Sequence, residues 1–143
     1  MRIVDASVLL PAINPSLPQH VRARSALEAA INDDRPVGLT WVVVSAFLRL
    51  TTKPGLFERP LSLDEAWELV DEWLRHPNVR VVQETTEHAR LWHELLDEAG
   101  IGGDLTTDAW IAAIAVAHGA TVLTLDSDFA RFRGLRWENP LSA

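Results

Sequence analysis

Short apolar runs alternate along the chain with longer segments in which apolar residues recur every three or four positions. The short runs have the length of buried strands, and the longer segments have the period of helices that cover a core on one face. We therefore predict strands at residues 2–4, 37–39, 79–82, 121–125 and 135–137, and helices at about 23–31, 41–50, 63–76, 86–99 and 105–118. The segment directly after Asp5 is a helix or a loop, and the β-branched run Val42–Val44 leaves a strand open as the alternative for 41–50. This alternation indicates a single domain, residues 1–143, with a mainly parallel sheet covered on both faces.

Residues with strong preferences at helix ends set the predicted boundaries. Thr40 and Ser62 suit N-cap positions, and Glu65 completes a capping box with Ser62. Gly100 and Gly119 suit the left-handed residue that ends a helix. For the last two helices we expect threonine caps, at Thr85 or Thr86 and at Thr106 or Thr107.

A periodic apolar stripe predicts which helix residues face the core. In the helix after Ser62 this buried stripe consists of Leu63, Ala66, Trp67, Val70, Trp73 and Leu74. Trp92 occupies a similar position in the next helix. We therefore expect Trp67, Trp73 and Trp92 to lie in the core.

The composition is that of a chain that forms a hydrophobic core without disulfides. Its 143 residues are 48% hydrophobic and include no cysteine, which excludes disulfides and thiolate metal sites. No apolar run reaches about 18 residues, and the start of the chain lacks a signal-peptide pattern. We therefore expect no membrane span and a cytoplasmic location. The net charge of −7 argues against a broad nucleic-acid-binding surface but is compatible with a cation-bridged site.

Acidic residues follow two of the predicted strands and begin one of the predicted helices. Asp5 comes directly after the first strand, and Asp126 and Asp128 come directly after a later one. Asp104 and Asp108 lie at the start of the last helix. Parallel α/β folds bring both kinds of position together at the sheet edge where ligands bind. We therefore expect these carboxylates to converge.

Carboxylates that converge repel one another, and this repulsion indicates what such a site binds. At about 5 Å each pair repels by roughly 3 kcal/mol at an effective dielectric constant of 20. Such a cluster implies a bound cation or raised pKa values. Mg²⁺ and Mn²⁺ take oxygen ligands, polarise phosphodiesters and activate water. Taken singly, the same residues also fit helix caps, helix-start charges and turns, so that alternative stays open.

Taken in order, these residues resemble the PIN-domain nucleases and, within them, the VapC-type toxins of bacterial toxin–antitoxin pairs. The resemblance covers nearly the whole chain and rests on the segments Ile3–Ser7, Trp41–Arg49, Thr52–Pro60, Thr107–Ala113 and Gly119–Phe129. It implies a three-layer α/β/α sandwich and a Mg²⁺- or Mn²⁺-dependent endoribonuclease acting on RNA. It also implies a cognate VapB-type antitoxin and a homodimer.

The resemblance also assigns roles to the acidic residues. It implies that Asp5, Asp108 and Asp126 are the catalytic acids and metal ligands, with Asp128 as a further, supporting metal ligand. These are the residues that follow the predicted strands and begin the predicted helix, so the resemblance and the physical argument point to one site.

One position departs from the family pattern. Many members carry a glutamate three residues before the arginine that matches Arg49, and here that position is Ala46. Alanine cannot ligate a metal, so either the site has fewer protein ligands and more waters, or Asp104 or Asp128 compensates. For Arg49 three roles stay open: contact with phosphate, pairing with an acid of the site, and a structural salt bridge. For Ser7 two roles stay open: binding of a metal-coordinated water and helix capping.

Two other functions fit parts of the sequence. Ala46 motivates a PIN-like module that binds RNA or antitoxin with weak or no catalysis. A phosphatase of the haloacid-dehalogenase type is more distant, with Asp5 as nucleophile and Asp126 and Asp128 as magnesium ligands. Ser7 in place of that family's second aspartate counts against the phosphatase, as does the absence of a convincing catalytic lysine.

Overall fold

The computed structural model describes residues 1–142. It confirms the order of the five predicted strands and five predicted helices, and it adds a helix, α1, directly after Asp5. The strands are β1 (Arg2–Val4), β2 (Val37–Leu39), β3 (Val79–Val81), β4 (Thr121–Leu123) and β5 (Trp137–Glu138). The helices are α1 (Ala6–Ile13), α2 (His20–Ile31), α3 (Trp41–Thr52), α4 (Leu63–Arg75), α5 (His88–Ala99) and α6 (Leu105–His118). A short 3₁₀ helix, η1 (Ser127–Arg131), follows β4.

The five strands form one parallel sheet in the order β3-β2-β1-β4-β5. Arg2 at the start of β1 is aligned with Val37 on one side and with Thr121 on the other. The chain builds the sheet outward from β1 to β3 and then returns to β4, so the direction of winding reverses between β1 and β4. Ligands bind outside the carboxyl ends of the strands at such a reversal.

Helices cover both faces of this sheet. Helix α1 contacts α2 and α3, and α3 contacts α4, whereas α5 packs on α6 and α6 lies against β4. Right-handed crossovers place the first four helices on one face and the last two on the other, which gives the expected three-layer α/β/α sandwich. Ala109, Ala112 and Ala113 of α6 are fully buried, and their small side chains let neighbouring elements approach closely. Within the described part of the chain, none of the helices has the length and apolar character needed to cross a bilayer.

The predicted helix ends are partly confirmed. Thr40 caps α3, Ser62 and Glu65 form the capping box of α4, and Gly100 and Gly119 take left-handed conformations at the ends of α5 and α6. The threonine caps expected for α5 and α6 are wrong. Helix α5 begins at His88, after a turn, and α6 begins at Leu105, directly after a glycine pair and Asp104; neither helix has a side-chain cap at its N-terminus.

The buried stripe of α4 is narrower than predicted. Ala66 and Val70 are fully buried, but Leu63 and Trp67 are 60% and 41% exposed. Trp73 packs edge-on against Phe47 of α3, with ring centroids 4.9 Å apart, so α4 docks on α3 through the middle of its apolar face. Placing Trp67 in the core was therefore wrong, because α3 covers only part of this apolar face; Trp73 and Trp92 are half-buried.

Candidate metal centre

Three separate segments bring carboxylates to the carboxyl edge of the sheet. The backbone N–H of Asp5 donates to the carbonyl oxygen of Leu123 at 2.9 Å, which fixes Asp5 beside the end of β4. Asp126 is the N-cap of η1, and its Oδ1 accepts from the backbone N–H of Asp128 at 2.9 Å. Asp108 comes from the first turn of α6. The structure thus brings together acids that lie far apart in the sequence.

The tightest group of carboxylates within residues 1–142 consists of Asp108, Asp126 and Asp128. Each offers one oxygen, and the three oxygens lie within 4.8 Å of one another. Asp108 and Asp126 are half-buried, and Asp128 is exposed. Asp5 is outside this group of three, but its charge still acts on Asp108. The tightest group therefore includes Asp128, which the resemblance implied only as a supporting ligand.

Asp5 is held by hydrogen bonds rather than by another charge. It is only 7% exposed. Its Oδ1 accepts from the backbone N–H of Ala6 at 2.9 Å, which makes Asp5 the N-cap of α1. Its Oδ2 accepts from the hydroxyls of Ser7 at 2.7 Å and Thr124 at 2.8 Å. Asp5 therefore caps a helix, as the simpler alternative required, and also presents its carboxylate at the candidate site.

The electrostatics of the site favour a bound cation. The pKa of the Asp108 carboxyl is raised to about 7, mainly by burial and then by the negative charges of Asp5, Asp126, Asp128 and Asp104. Burial also raises the pKa of Asp5, against the lowering effect of its hydrogen bonds. The neighbouring carboxylates add to the effect of burial, so the ionised form of Asp108 is disfavoured in the metal-free site, and a bound cation would favour it.

The remaining predicted residues are not members of this group of three. Asp104 precedes α6 without capping it and contributes charge rather than a close oxygen. Ser7 donates to Asp5 and accepts from the backbone N–H of Leu125 at 2.9 Å. Arg49 is exposed in the last turn of α3. Ser7 is therefore part of the site, and Asp104 acts on it through its charge.

Thr124 is a further polar residue of the site, and the sequence analysis did not identify it. Its side chain is fully buried. Its hydroxyl donates to Asp5 Oδ2 and accepts from the backbone N–H of Asp126 at 3.0 Å. A threonine two residues before Asp126 was the available signal, but threonine is also common in strands for reasons of packing.

The donor atoms fit a hard divalent cation. Every side-chain donor in the group of three is a carboxylate oxygen, and Mg²⁺ and Mn²⁺ prefer oxygen ligands. Mg²⁺ is usually held by one or two carboxylates and keeps several waters. The three carboxylates present are therefore enough for this class of ion, even with alanine at position 46.

Comparison with known proteins gives the family context of this geometry. The model of the PIN domain family matches residues 2–135. The chain is 43% identical over 140 residues to Ribonuclease VapC37 of Mycobacterium tuberculosis, with 98% of this chain and 97% of that protein covered. It is 36% identical over 141 residues to Ribonuclease VapC33 of the same species, with 99% of both chains covered.

Solved structures share the same fold. VapBC2 from Rickettsia felis, bound to a DNA fragment from its promoter, gives a TM-score of 0.71 at 20% identity, covering 96% of this chain and 97% of that chain. VapC20 of Mycobacterium tuberculosis, described as a toxin that cleaves the sarcin-ricin loop, gives a TM-score of 0.70 at 18% identity, covering 95% and 99%. At these identities the likeness concerns the fold.

Proposed function

The chain belongs to the PIN domain family and, within it, to the VapC ribonucleases that it matches over nearly its full length, and from this premise we propose that it is the endoribonuclease toxin of a type II toxin–antitoxin pair. We propose Mg²⁺ or Mn²⁺ as its cofactor and RNA phosphodiesters as its substrate. The family match removes the ground for the phosphatase alternative. The PIN-like binding module stays as the competing outcome of the experiment below.

One observation supports the catalytic proposal most directly: the three oxygens of Asp108, Asp126 and Asp128 that lie within 4.8 Å of one another. This arrangement is unfavourable without a cation, as the raised pKa of Asp108 indicates. A phosphodiester is itself an anion, so it would not approach this acidic edge unless a cation neutralised the edge first. The same charge distribution that opposes RNA binding to the free protein therefore supports a cation-bridged substrate.

The proposed roles follow from where the acids lie. Asp108, Asp126 and Asp128 hold the cation, and Asp5 completes the set from the end of β1. When bound, Mg²⁺ or Mn²⁺ would polarise the phosphodiester and lower the pKa of water at the site. The chain's own contribution is to fix these acids on the sheet edge, the start of α6 and η1, so that they need no rearrangement before substrate binds.

The partner that we propose is a VapB-type antitoxin docked in the groove between α2 and α4. This groove has a volume of about 530 Å³. Apolar side chains that include Leu27, Leu69 and Trp73 line it, and Arg24 and Glu72 are among its charged residues. Such a surface suits an amphipathic helix, whose apolar face fills the groove while its polar residues meet the charges.

Co-expression tests the docking proposal. The probe is the VapB-type protein encoded next to this chain, and the readout is whether the two proteins co-purify. Leu69→Glu introduces a charge into the groove and is expected to abolish co-purification. Glu68→Gln on the exposed side of α4 is the control and is expected to leave it intact. Co-purification that survives Leu69→Glu would contradict docking in this groove.

We also propose that the chain forms a homodimer and acts in the cytoplasm, where its RNA substrate would be. Leu63 and Trp67 lie one turn apart on α4 and expose apolar surface that an interface would cover. Light scattering during size-exclusion chromatography measures the mass directly. A mass near 15.9 kDa at all concentrations would contradict the dimer.

An RNA cleavage assay tests the function. Purified protein is incubated with total cellular RNA and Mn²⁺ or Mg²⁺, beside an EDTA control. We expect discrete fragments from the native protein and a loss of about 100-fold or more in Asp108→Asn, because that variant lacks a carboxylate of the site. Asp97→Asn, on the exposed surface of α5, is the matched control and should cleave normally. Folded protein that binds RNA but cleaves none with either metal would favour the binding module.

A further inference from the structure

Two hydroxyl groups donate hydrogen bonds to one oxygen of the Asp5 carboxylate. The hydroxyls of Ser7 and Thr124 both donate to Oδ2, at 2.7 and 2.8 Å, and they lie 3.1 Å from each other. Each hydroxyl has a single proton to donate. If either hydroxyl donated to the other hydroxyl instead, one hydrogen bond to Oδ2 would be lost. An ionised Asp5 therefore accepts both hydrogen bonds on the same oxygen, Oδ2.

Each hydroxyl also accepts one backbone hydrogen bond. Ser7 Oγ accepts from the backbone N–H of Leu125 at 2.9 Å, and Thr124 Oγ1 accepts from the backbone N–H of Asp126 at 3.0 Å. Thr124 thus connects the carboxylate after β1 to the backbone of the acid after β4. A shift of either acid would disturb hydrogen bonds of a side chain that is fully buried.

The two oxygens of Asp5 consequently differ in how many further ligands they can accept. A carboxylate oxygen accepts about two hydrogen bonds, and Oδ2 already has two. Oδ1 accepts only from the backbone N–H of Ala6 at 2.9 Å, which leaves it one free lone pair. Oδ1 is thus the only oxygen of Asp5 with capacity for a further ligand.

We propose that Ser7 and Thr124 are positioning residues, which make Asp5 a one-oxygen ligand through Oδ1 and hold Asp5 and Asp126 in a fixed relation. This inference deepens the proposed function, because it concerns the same cation. Neither hydroxyl touches the substrate in this account. Their effect is to fix the direction of the Asp5 carboxylate before the cation arrives, as residues that hydrogen-bond to metal ligands do elsewhere.

Mn²⁺ binding without RNA tests the inference, by calorimetry and by the loss of the free Mn²⁺ signal in electron paramagnetic resonance. Thr124→Val keeps the shape of the side chain and removes the hydroxyl, and we expect its Mn²⁺ affinity to fall about tenfold or more. Thr124→Ser restores a hydroxyl and should stay within about threefold of the native affinity. In RNA cleavage, Thr124→Val should lower kcat and leave KM for RNA unchanged.

Thr51→Val is the matched control. Thr51 is also fully buried, and its hydroxyl donates to the carbonyl oxygen of Phe47 at 2.8 Å within α3. This variant should lose similar stability but keep native Mn²⁺ affinity, so it separates positioning from general destabilisation. Ser7→Ala, at a half-buried residue, carries the same prediction as Thr124→Val and replaces that variant if it fails to fold.

The outcomes separate this inference from the proposed function. Native Mn²⁺ affinity in both Thr124→Val and Ser7→Ala would overturn the positioning role, while RNA cleavage by the native protein would leave the nuclease proposal standing. Native protein that neither binds Mn²⁺ nor cleaves RNA would overturn both. An equal loss of affinity in Thr51→Val would also overturn the positioning role, since the effect would then be one of stability.

Discussion

Asp108 at the start of α6 and Asp126 at the end of the β4 segment place carboxylate oxygens within 4.8 Å of each other. Their elements lie next to each other, because α6 leads directly into β4 and packs against it and against η1. The packing of these elements keeps the two acids close, so their charges repel when both are ionised. We therefore expect the stability of the metal-free protein to depend on pH.

The first prediction concerns the stability of the metal-free protein. The pKa of Asp108 is raised from 3.8 to about 7 in the folded state, so the folded protein holds a proton there that the unfolded chain has lost. Stability from this group is therefore present at low pH and falls as pH rises from about 4 to 7. Asp108→Asn removes this dependence and should be more stable than the native protein by roughly 1–2 kcal/mol at pH 8.

Thermal unfolding in EDTA between pH 5 and pH 8 measures this difference. The gain in Tm of Asp108→Asn over the native protein should grow from pH 5 to about pH 7 and then level off. Adding Mn²⁺ at pH 8 should raise the Tm of the native protein more than that of the variant, because binding to the folded state stabilises it. A Tm difference that does not change with pH would contradict the prediction.

The second prediction concerns position 46. The family resemblance places a glutamate there, and Ala46 lies in α3, which begins beside the carboxyl end of β2. Ala46→Glu should add a carboxylate to the site, raise Mn²⁺ affinity by about fivefold or more and lower the Tm of the metal-free protein through added repulsion. Ala46→Gln has the same size without the charge and should show neither effect. Calorimetry and thermal unfolding of both variants provide the check, and equal behaviour of the two would refute the charge argument.

The third prediction concerns Arg131, whose Nε lies 3.7 Å from Asp128 Oδ1. Both side chains are about half exposed, so the pair contributes at most about 1 kcal/mol. Arg131→Ala frees Asp128 from a competing cation and should leave Mn²⁺ affinity unchanged or raise it by no more than about fivefold. Asp128→Asn should instead lower it. A large loss of Mn²⁺ affinity in Arg131→Ala would show that the arginine supports the site in another way.

The fourth prediction concerns Gly38 in the middle of β2. A Cβ at this position would lie 2.7 Å from Cγ2 of Val82 and 3.1 Å from Cγ1 of Ile3. Gly38→Ala should therefore destabilise the protein by about 1–3 kcal/mol through overpacking. Gly102→Ala is the control, because its nearest neighbour would lie at 3.8 Å, and it should change stability by less than about 1 kcal/mol. Urea unfolding of both variants measures the change in the free energy of unfolding of each.

The order of strands and helices follows from the sequence because it depends on local periodicity. It also depends on residues such as Ser62 and Gly119, whose conformational preferences act within a few positions. The width of the buried face of a helix does not follow from the sequence in this way. Trp67 and Val70 belong to the same stripe, but only Val70 is buried, because the packing of α4 on α3 decides which part of the stripe is covered. Helix α5 also starts later than predicted, and neither α5 nor α6 uses a threonine cap, because a turn precedes α5 and a glycine pair precedes α6.

For the site, the sequence by itself determined which acids stand at strand ends and at the start of α6, and it predicted that all five would converge. In the structure Asp104 stays outside the close group. Only the tertiary structure decided that Asp108, Asp126 and Asp128 form the tightest group, and that Asp5 is held behind it by Ser7 and Thr124. The reason is that strand order brings segments together to within several ångströms. The final approach of side chains depends on hydrogen bonds between residues from different strands, which no local pattern records.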